Sequence, residues 1–149
     1  MYPLNDKIKD LEPYTPVEGG FRIHLDANES FLPLPDSFLE EWSNTLGHLS
    51  LNRYPDPAAR DLCKAFAEHY QVPEECVVAG NGSDELITVL FTAFLQRGEA
   101  FATLEPDFSM YAFNGYLQEN RHVAIPKKAD YSLDVEQIIQ TCEQENVRL

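Results

Sequence analysis

The chain has 149 residues, 44% of them apolar, and carries 11 basic against 25 acidic side chains, a net charge of −14. That length suits one compact domain or a part of a larger protein. A field of that sign repels nucleic-acid phosphates and anionic lipid surfaces, so neither is expected as a partner. The three cysteines, Cys63, Cys76 and Cys142, show no CxxC spacing and read as thiols in a reducing compartment. The opening MYPLNDKIKD has no apolar core of the kind a signal peptide needs. No run approaches the roughly 20 apolar residues of a membrane helix. The expectation is a cytoplasmic protein.

Residues 1 to 20, with Pro3, Pro13, Pro16 and Gly19-Gly20, read as an extended arm. FRIHLDA (21 to 27) alternates like a short half-buried strand. After a proline loop, Asp36 or Ser37 is expected to cap a helix through FLEEWSNTL. Asp56 as N-cap and Pro57 as first residue predict a helix from about 57 to 70, facing inward with Leu62, Ala65, Phe66 and His69. Cys76 to Ala79 reads as a short buried strand. A helix from about 83 to 97 follows, apolar nearly all round and ending at Gly98, so that it packs on more than one side. AFATL (100 to 104) and HVAIP (122 to 126) read as strands, and 108 to 117 and 134 to 144 as helices. VRL (147 to 149) looks like the start of another strand. Strands alternating with helices predict an α/β fold with a mostly parallel sheet covered on both faces. A strand begun at VRL without a covering helix suggests the front part of a longer protein.

VVAGNGSDELITVL (77 to 90) places a glycine turn between a strand and a helix. Unpaired N–H groups and the dipole at the helix start suit an anion. Gly80 and Gly82 allow close approach, and Ser83 adds a hydroxyl. Glu85 stands where a dinucleotide fingerprint needs its third glycine, and no lysine completes a nucleoside-triphosphate loop. Asp84 and Glu85 are tolerable beside an anion only if their carboxylates turn away and the backbone does the binding. A phosphate site and a plain turn capped by Ser83 or Asn81 both remain open on these residues alone.

Four ordered stretches, LDANES (25 to 30), NRYPDP (52 to 57), GNGSDELI (80 to 87) and PDFSMY (106 to 111), with LEPYTP (11 to 16) before them, resemble the front part of the histidinol-phosphate aminotransferases. These are class I/II, fold-type I pyridoxal-phosphate enzymes. Threonine-phosphate decarboxylases share much of the pattern. The resemblance implies that the amides of Gly82, Ser83 and Asp84 bind the phosphate of pyridoxal 5'-phosphate and that Phe108 stacks on its ring. The family usually has tyrosine at that position; Phe108 keeps the π face and lacks the hydroxyl. It further implies that Tyr54 reaches the partner's cofactor phosphate in a homodimer, and that Asn28 and Tyr14 lie at the substrate. Bland alternatives accompany these assignments: a core aromatic for Phe108, an interface or surface residue for Tyr54, and a self-satisfied loop residue for Asn28. By resemblance, residues 1–50 form the arm and a segment of the small domain, and 51–149 the first part of the large, cofactor-binding domain.

The four histidines show no metal spacing, and each reads as a surface or core residue. In the resembled family the Schiff-base lysine, the acid at the pyridine nitrogen and an arginine for the substrate carboxylate lie beyond position 149. None of Lys7, Lys9, Lys64, Lys127 and Lys128 sits in a matching motif. The resemblance therefore implies an aminotransferase of histidine biosynthesis that passes an amino group to 2-oxoglutarate, with no catalytic residue in this stretch and no transamination by it alone. The alternatives are a decarboxylase on the same scaffold and a non-catalytic fragment or binding module.

Overall fold

The computed structural model describes residues 2–9, 11, 19–25 and 27–149. They form two compact units, Leu11–Pro57 and Met1–Asp10 together with Ala58–Leu149.

The first unit holds one helix, α1 (Asp36–Leu46). Neither Asp36 nor Ser37 caps it: Pro35 occupies the N-cap and no side chain bonds the first turn. Pro35, with φ fixed near its helical value, is a ready stop for the preceding loop, and Asp36 inside the first turn still favours the dipole. Phe38, Trp42 and Leu46, spaced four apart, lie along an exposed stripe. The described residues of 21–27 form bends and extended backbone without the expected strand. An alternating segment becomes a strand only when another pairs with it.

In the second unit α2 (Arg60–Tyr70) begins three residues later than the sequence suggests. Asp56 is not its cap; Ala59 is, in the left-handed conformation at φ 46°. The inward face is Cys63 and Ala67, whereas Leu62 is 61% exposed and Phe66 also stays outside. Small residues let a helix approach its neighbour closely, and that side faces the body here. The expected strand at 76–79 is a 3-10 turn, Glu74–Cys76, followed by unpaired extended backbone.

From there the βα alternation is as anticipated. The order is α3 (Gly82–Phe94), β1 (Ala100–Glu105), α4 (Ser109–Leu117), β2 (Arg121–Pro126) and α5 (Val135–Gln144). β1 and β2 pair in parallel, from Ala100 opposite Arg121 to Glu105 opposite Pro126. VRL joins the other edge of β1: the Arg148 N–H donates to the Ala100 carbonyl at 2.8 Å and the Ala102 N–H to that of Leu149 at 2.9 Å. β1 is thus flanked on both sides. α3 ends at Phe94, short of Gly98, which has φ +83° and donates its N–H to the Glu119 carbonyl in the next connection. Gly98 therefore serves the α3–β1 loop and not the helix cap. α3 buries Ile87 and Phe91, while Val89, Leu90 and Phe94 remain exposed.

The core centres on Phe101, which is 1% exposed. Phe91 meets it edge-on with ring centroids 4.8 Å apart, and the His122 ring stacks parallel on it at 4.8 Å. Gly115 of α4 lies directly against the ring: a Cβ there would overlap Phe101 at Cε1 and Cζ. His122 Nε2 is 2.7 Å from the buried Thr103 hydroxyl, which donates to Glu105 at 3.0 Å.

α5 starts where Asp134 accepts the Gln137 N–H at 3.1 Å. That bond first, then the hydrogen bond and charge of Lys128, hold the Asp134 carboxyl below its ordinary value of 3.8. A depressed pKa stabilises the fold above the ordinary carboxylate range, and the contribution is lost as pH falls below 3.8 through the folded value.

Two outcomes follow from this packing. Gly115→Ala lowers the unfolding free energy by about 1–3 kcal/mol through overpacking against Phe101, measured by urea titration. Asp134→Ala destabilises at neutral pH by an amount that shrinks towards zero on acidification below the carboxylate range. A pH-independent difference between the two proteins would refute that account of Asp134.

Candidate functional site

The Gly80–Glu85 turn is shaped by its glycines and by one carboxylate. Gly82 has φ +81°, a left-handed conformation that costs a side-chain-bearing residue roughly 1–2 kcal/mol. A Cβ at Gly80 would sit 2.9 Å from Leu86 Cδ2 and 3.1 Å from Glu85 Oε2, so that position is tight for another reason. Around Gly82 the space is open, with nothing within 4 Å of an added Cβ. Neither Asn81 nor Ser83 caps α3 with its side chain. Glu85 reaches back instead, and its Oε2 accepts the Asn81 N–H. That contact holds the Glu85 carboxylate on the backbone of the turn itself. The first N–H groups of a helix have no partner four residues earlier, so Ser83 and Asp84 present their amides at this end, whereas the Gly82 N–H donates to the Gly80 carbonyl at 3.0 Å.

Phe108 is the N-cap of α4, extended at φ −66°, ψ 122°. Its ring is 47% exposed and stands perpendicular to Tyr111, centroids 6.0 Å apart. Tyr111 packs on the Phe101 cluster, so Phe108 is braced from below. It is not a core aromatic.

Two polar contacts relate the two helix starts. The Thr88 hydroxyl is 2.9 Å from both the Asp84 carbonyl and Asn114 Oδ1 and shares its proton between them. Asn114, buried in α4, donates its amide to the Met110 carbonyl at 2.9 Å. One turn further along each helix, Gln118 Nε2 donates to Thr92 Oγ1 at 3.3 Å. Both helices advance together from one contact to the next, so α3 and α4 run parallel, side by side. Their N-termini lie at the same end, which brings the Ser83 and Asp84 amides and Phe108 to one end of the helix pair. Asn114 went unnoticed in the sequence; a lone amide within the apolar run SMYAFNGYL was its signal.

Tyr54 and Asn28 belong to the other unit. The Tyr54 side chain is fully exposed. Asn28 adopts φ 52°, a left-handed conformation that asparagine tolerates better than most residues. Tyr14 lies outside the described residues. Among the described residues no group of three histidine, cysteine or acidic side chains could hold a metal ion, and no helix is long and apolar enough to cross a membrane.

The family described as Aminotransferase class I and II matches residues 23–148, and the chain belongs to it. It is similar to the histidinol-phosphate aminotransferase of Clostridium kluyveri, 36% identical over 146 residues, covering 98% of this chain and 42% of that protein. The enzyme of the same name from Pyrococcus furiosus is 40% identical over 133 residues, 89% of this chain and 39% of its own length. The chain thus spans about two fifths of these relatives. Among solved structures, histidinol-phosphate aminotransferase from Sinorhizobium meliloti in complex with pyridoxal-5'-phosphate superimposes with a TM-score of 0.72 at 24% identity, over 81% of this chain and 32% of that one. The α/β fold with parallel strands is the front part of a fold-type I aminotransferase fold.

The parallel alignment is testable by a double-mutant cycle. Asn114→Ala alone costs about 1–3 kcal/mol, because the Thr88 hydroxyl and the Met110 carbonyl lose a buried partner. Combined with Thr88→Val, the losses are non-additive by about 0.5–1.5 kcal/mol in urea unfolding. Simple additivity would mean that the two helices do not meet through this pair.

Proposed function

We propose that this chain carries the phosphate cup and ring-stacking residue of a pyridoxal-phosphate-dependent aminotransferase, which moves an amino group from histidinol phosphate to 2-oxoglutarate. The parallel pairing of α3 and α4 is the observation that most supports it. The start of α3, with Gly82 and the amides of Ser83 and Asp84, and the exposed Phe108 ring share one end of the helix pair, an arrangement that suits a phosphorylated heteroaromatic ring. The residues fit that group: open space surrounds the left-handed Gly82, and the Glu85 carboxylate is engaged by Asn81. The likeness to histidinol-phosphate aminotransferases favours histidinol phosphate as the amino donor.

When bound, pyridoxal phosphate supplies the electron sink for chemistry at the substrate's amine-bearing carbon. This chain's residues bind and orient. The amides of α3 hold the phosphate dianion at the positive end of the helix dipole. Phe108 would offer its π face to the ring, with Tyr111 packed perpendicular to it. Tyr54 extends to the partner subunit's cofactor phosphate in a homodimer, and its full exposure suits that reach. Asn28 and Tyr14 contact the substrate. Residues 1–50 act as the arm and a segment of the small domain, and 51–149 as the first part of the cofactor-binding domain. No lysine occurs between Gly80 and Tyr111, so the covalent anchor and proton carrier are not supplied by this site. Free thiols at Cys63, Cys76 and Cys142 suit action in the cytoplasm.

The product of the gene read past codon 149 is incubated with histidinol phosphate and 2-oxoglutarate and assayed for glutamate. Glutamate formation by that product and none by residues 1–149 supports the proposal. Carbon dioxide released from threonine phosphate, without glutamate, selects the decarboxylase in its place.

A further inference from the structure

β1 and α4 are joined by a very short turn through Pro106 and Asp107 to Phe108, and one side chain ties its two ends together. Asp107 is exposed, yet both of its carboxylate oxygens are engaged. Oδ2 accepts the Leu104 N–H of β1 at 3.3 Å, and Oδ1 accepts the Phe108 N–H at 2.8 Å. A second clamp closes over the same turn from β2. The Lys127 ammonium donates to the Pro106 carbonyl at 2.6 Å, and the Lys127 N–H donates to the Glu105 carbonyl at 2.8 Å. Strand end, turn and helix start are therefore held by a carboxylate on one side and an ammonium on the other. Hydrogen bonds to ionised groups are the stronger kind.

We propose that Asp107 is a positioning residue that locks this turn so that Phe108 presents its ring face to a flat, phosphorylated heteroaromatic ligand. The inference rests on the reading of Phe108 as the stacking residue. Phe108 is the N-cap of α4, and its direction is set by backbone dihedrals that the Asp107–Phe108 bond restrains. Tyr111 packs perpendicular to the ring from one turn along the helix. An aromatic held in one orientation before binding has less conformational freedom to lose when it stacks. Lys127 supports the same geometry through the Pro106 and Glu105 carbonyls.

The test separates turn locking from ligand binding. Amide hydrogen exchange at Leu104 and Phe108 is followed by NMR in the unsubstituted protein, Asp107→Ala, Asp107→Asn and Lys127→Met. Asp107→Ala speeds exchange at both amides by about tenfold or more. Asp107→Asn retains one acceptor oxygen and protects Phe108 while releasing Leu104. Lys127→Met loosens the turn with the carboxylate in place and raises Phe108 exchange less than Asp107→Ala does. Unchanged exchange at Phe108 in Asp107→Ala overturns the lock. Pyridoxamine 5'-phosphate and inorganic phosphate are then titrated separately. Asp107→Ala weakens pyridoxamine 5'-phosphate by about tenfold, a stacking contact's worth, and leaves inorganic phosphate unchanged; Asp107→Asn restores most of the loss. Equal weakening of both ligands overturns ring positioning in favour of a general structural role. If the unsubstituted protein binds inorganic phosphate but gains nothing from the ring, the stacking role of Phe108 falls, and the exchange data alone decide whether Asp107 locks the turn.

Discussion

The close approach of Gly115 to Phe101 is the constraint on which the second unit depends. A strand residue that is almost wholly buried needs a flat surface above it, and a helix offers one only where it has no side chain. With Gly115 in place, α4 settles onto β1, and Phe101 is enclosed by Gly115, Phe91 and the stacked His122 ring. Burying one such aromatic is worth about 1.5–3 kcal/mol, against about 0–1 kcal/mol for an exposed ion pair such as Lys7–Glu119 or Arg121–Glu145. The aromatic cluster thus outweighs the surface charges in holding β1, α3 and α4 together.

The site inherits its geometry from that packing. Once α3 and α4 both lie against β1, the Thr88–Asn114 contact sets their relative height, and the two N-termini come level. Neither the glycine turn nor Phe108 belongs to the core, yet each is placed by residues that do. Ile87 and Phe91 anchor the helix behind Gly82, and Met110 and Tyr111 anchor the one behind Phe108. The N-terminal segment adds a further brace: the Lys7 ammonium donates to the Leu117 carbonyl at 2.8 Å, at the negative end of α4, and the Tyr116 hydroxyl donates to the Lys7 carbonyl.

What was legible in the sequence follows the same division. From Ala100 to Leu149 each element pairs or packs with a neighbour close in the chain, so pattern alone placed it. The segments at 21–27 and 76–79 have strand-like composition, but pairing is a tertiary fact and no alternation can supply the partner. On α2 the expected inward face, Leu62, Ala65, Phe66 and His69, stays exposed, whereas the body accepts Cys63 and Ala67 because small residues allow close approach. The caps of α1 and α2 failed because a backbone turn, at Pro35 or at left-handed Ala59, did the work assigned to a side chain. At the site, the glycine turn and Phe108 stood out through their motifs. Asp107 is one of 25 acids and carries no signal of its own until the fold brings Leu104 and Phe108 to either side of it.

A net charge of −14 looks hostile to a phosphate dianion, and distance settles how hostile it is. A unit charge 10 Å away in water contributes about 0.4 kcal/mol before screening, and at physiological salt the Debye length is about 8 Å. Most of the 25 acids therefore count for little at the start of α3, and the comparison narrows to its own first turn. There the helix end supplies roughly half a positive charge together with unpartnered N–H groups. Against these stand Asp84 and Glu85. Glu85 is drawn back to the Asn81 amide, a position in which its carboxylate also relieves an N–H that α3 leaves unpaired. Asp84 contributes its carbonyl to Thr88 and hence to the α3–α4 alignment. The first turn is thus acidic in sequence and still presents the Ser83 and Asp84 N–H groups, with the Glu85 carboxylate held on the Asn81 amide.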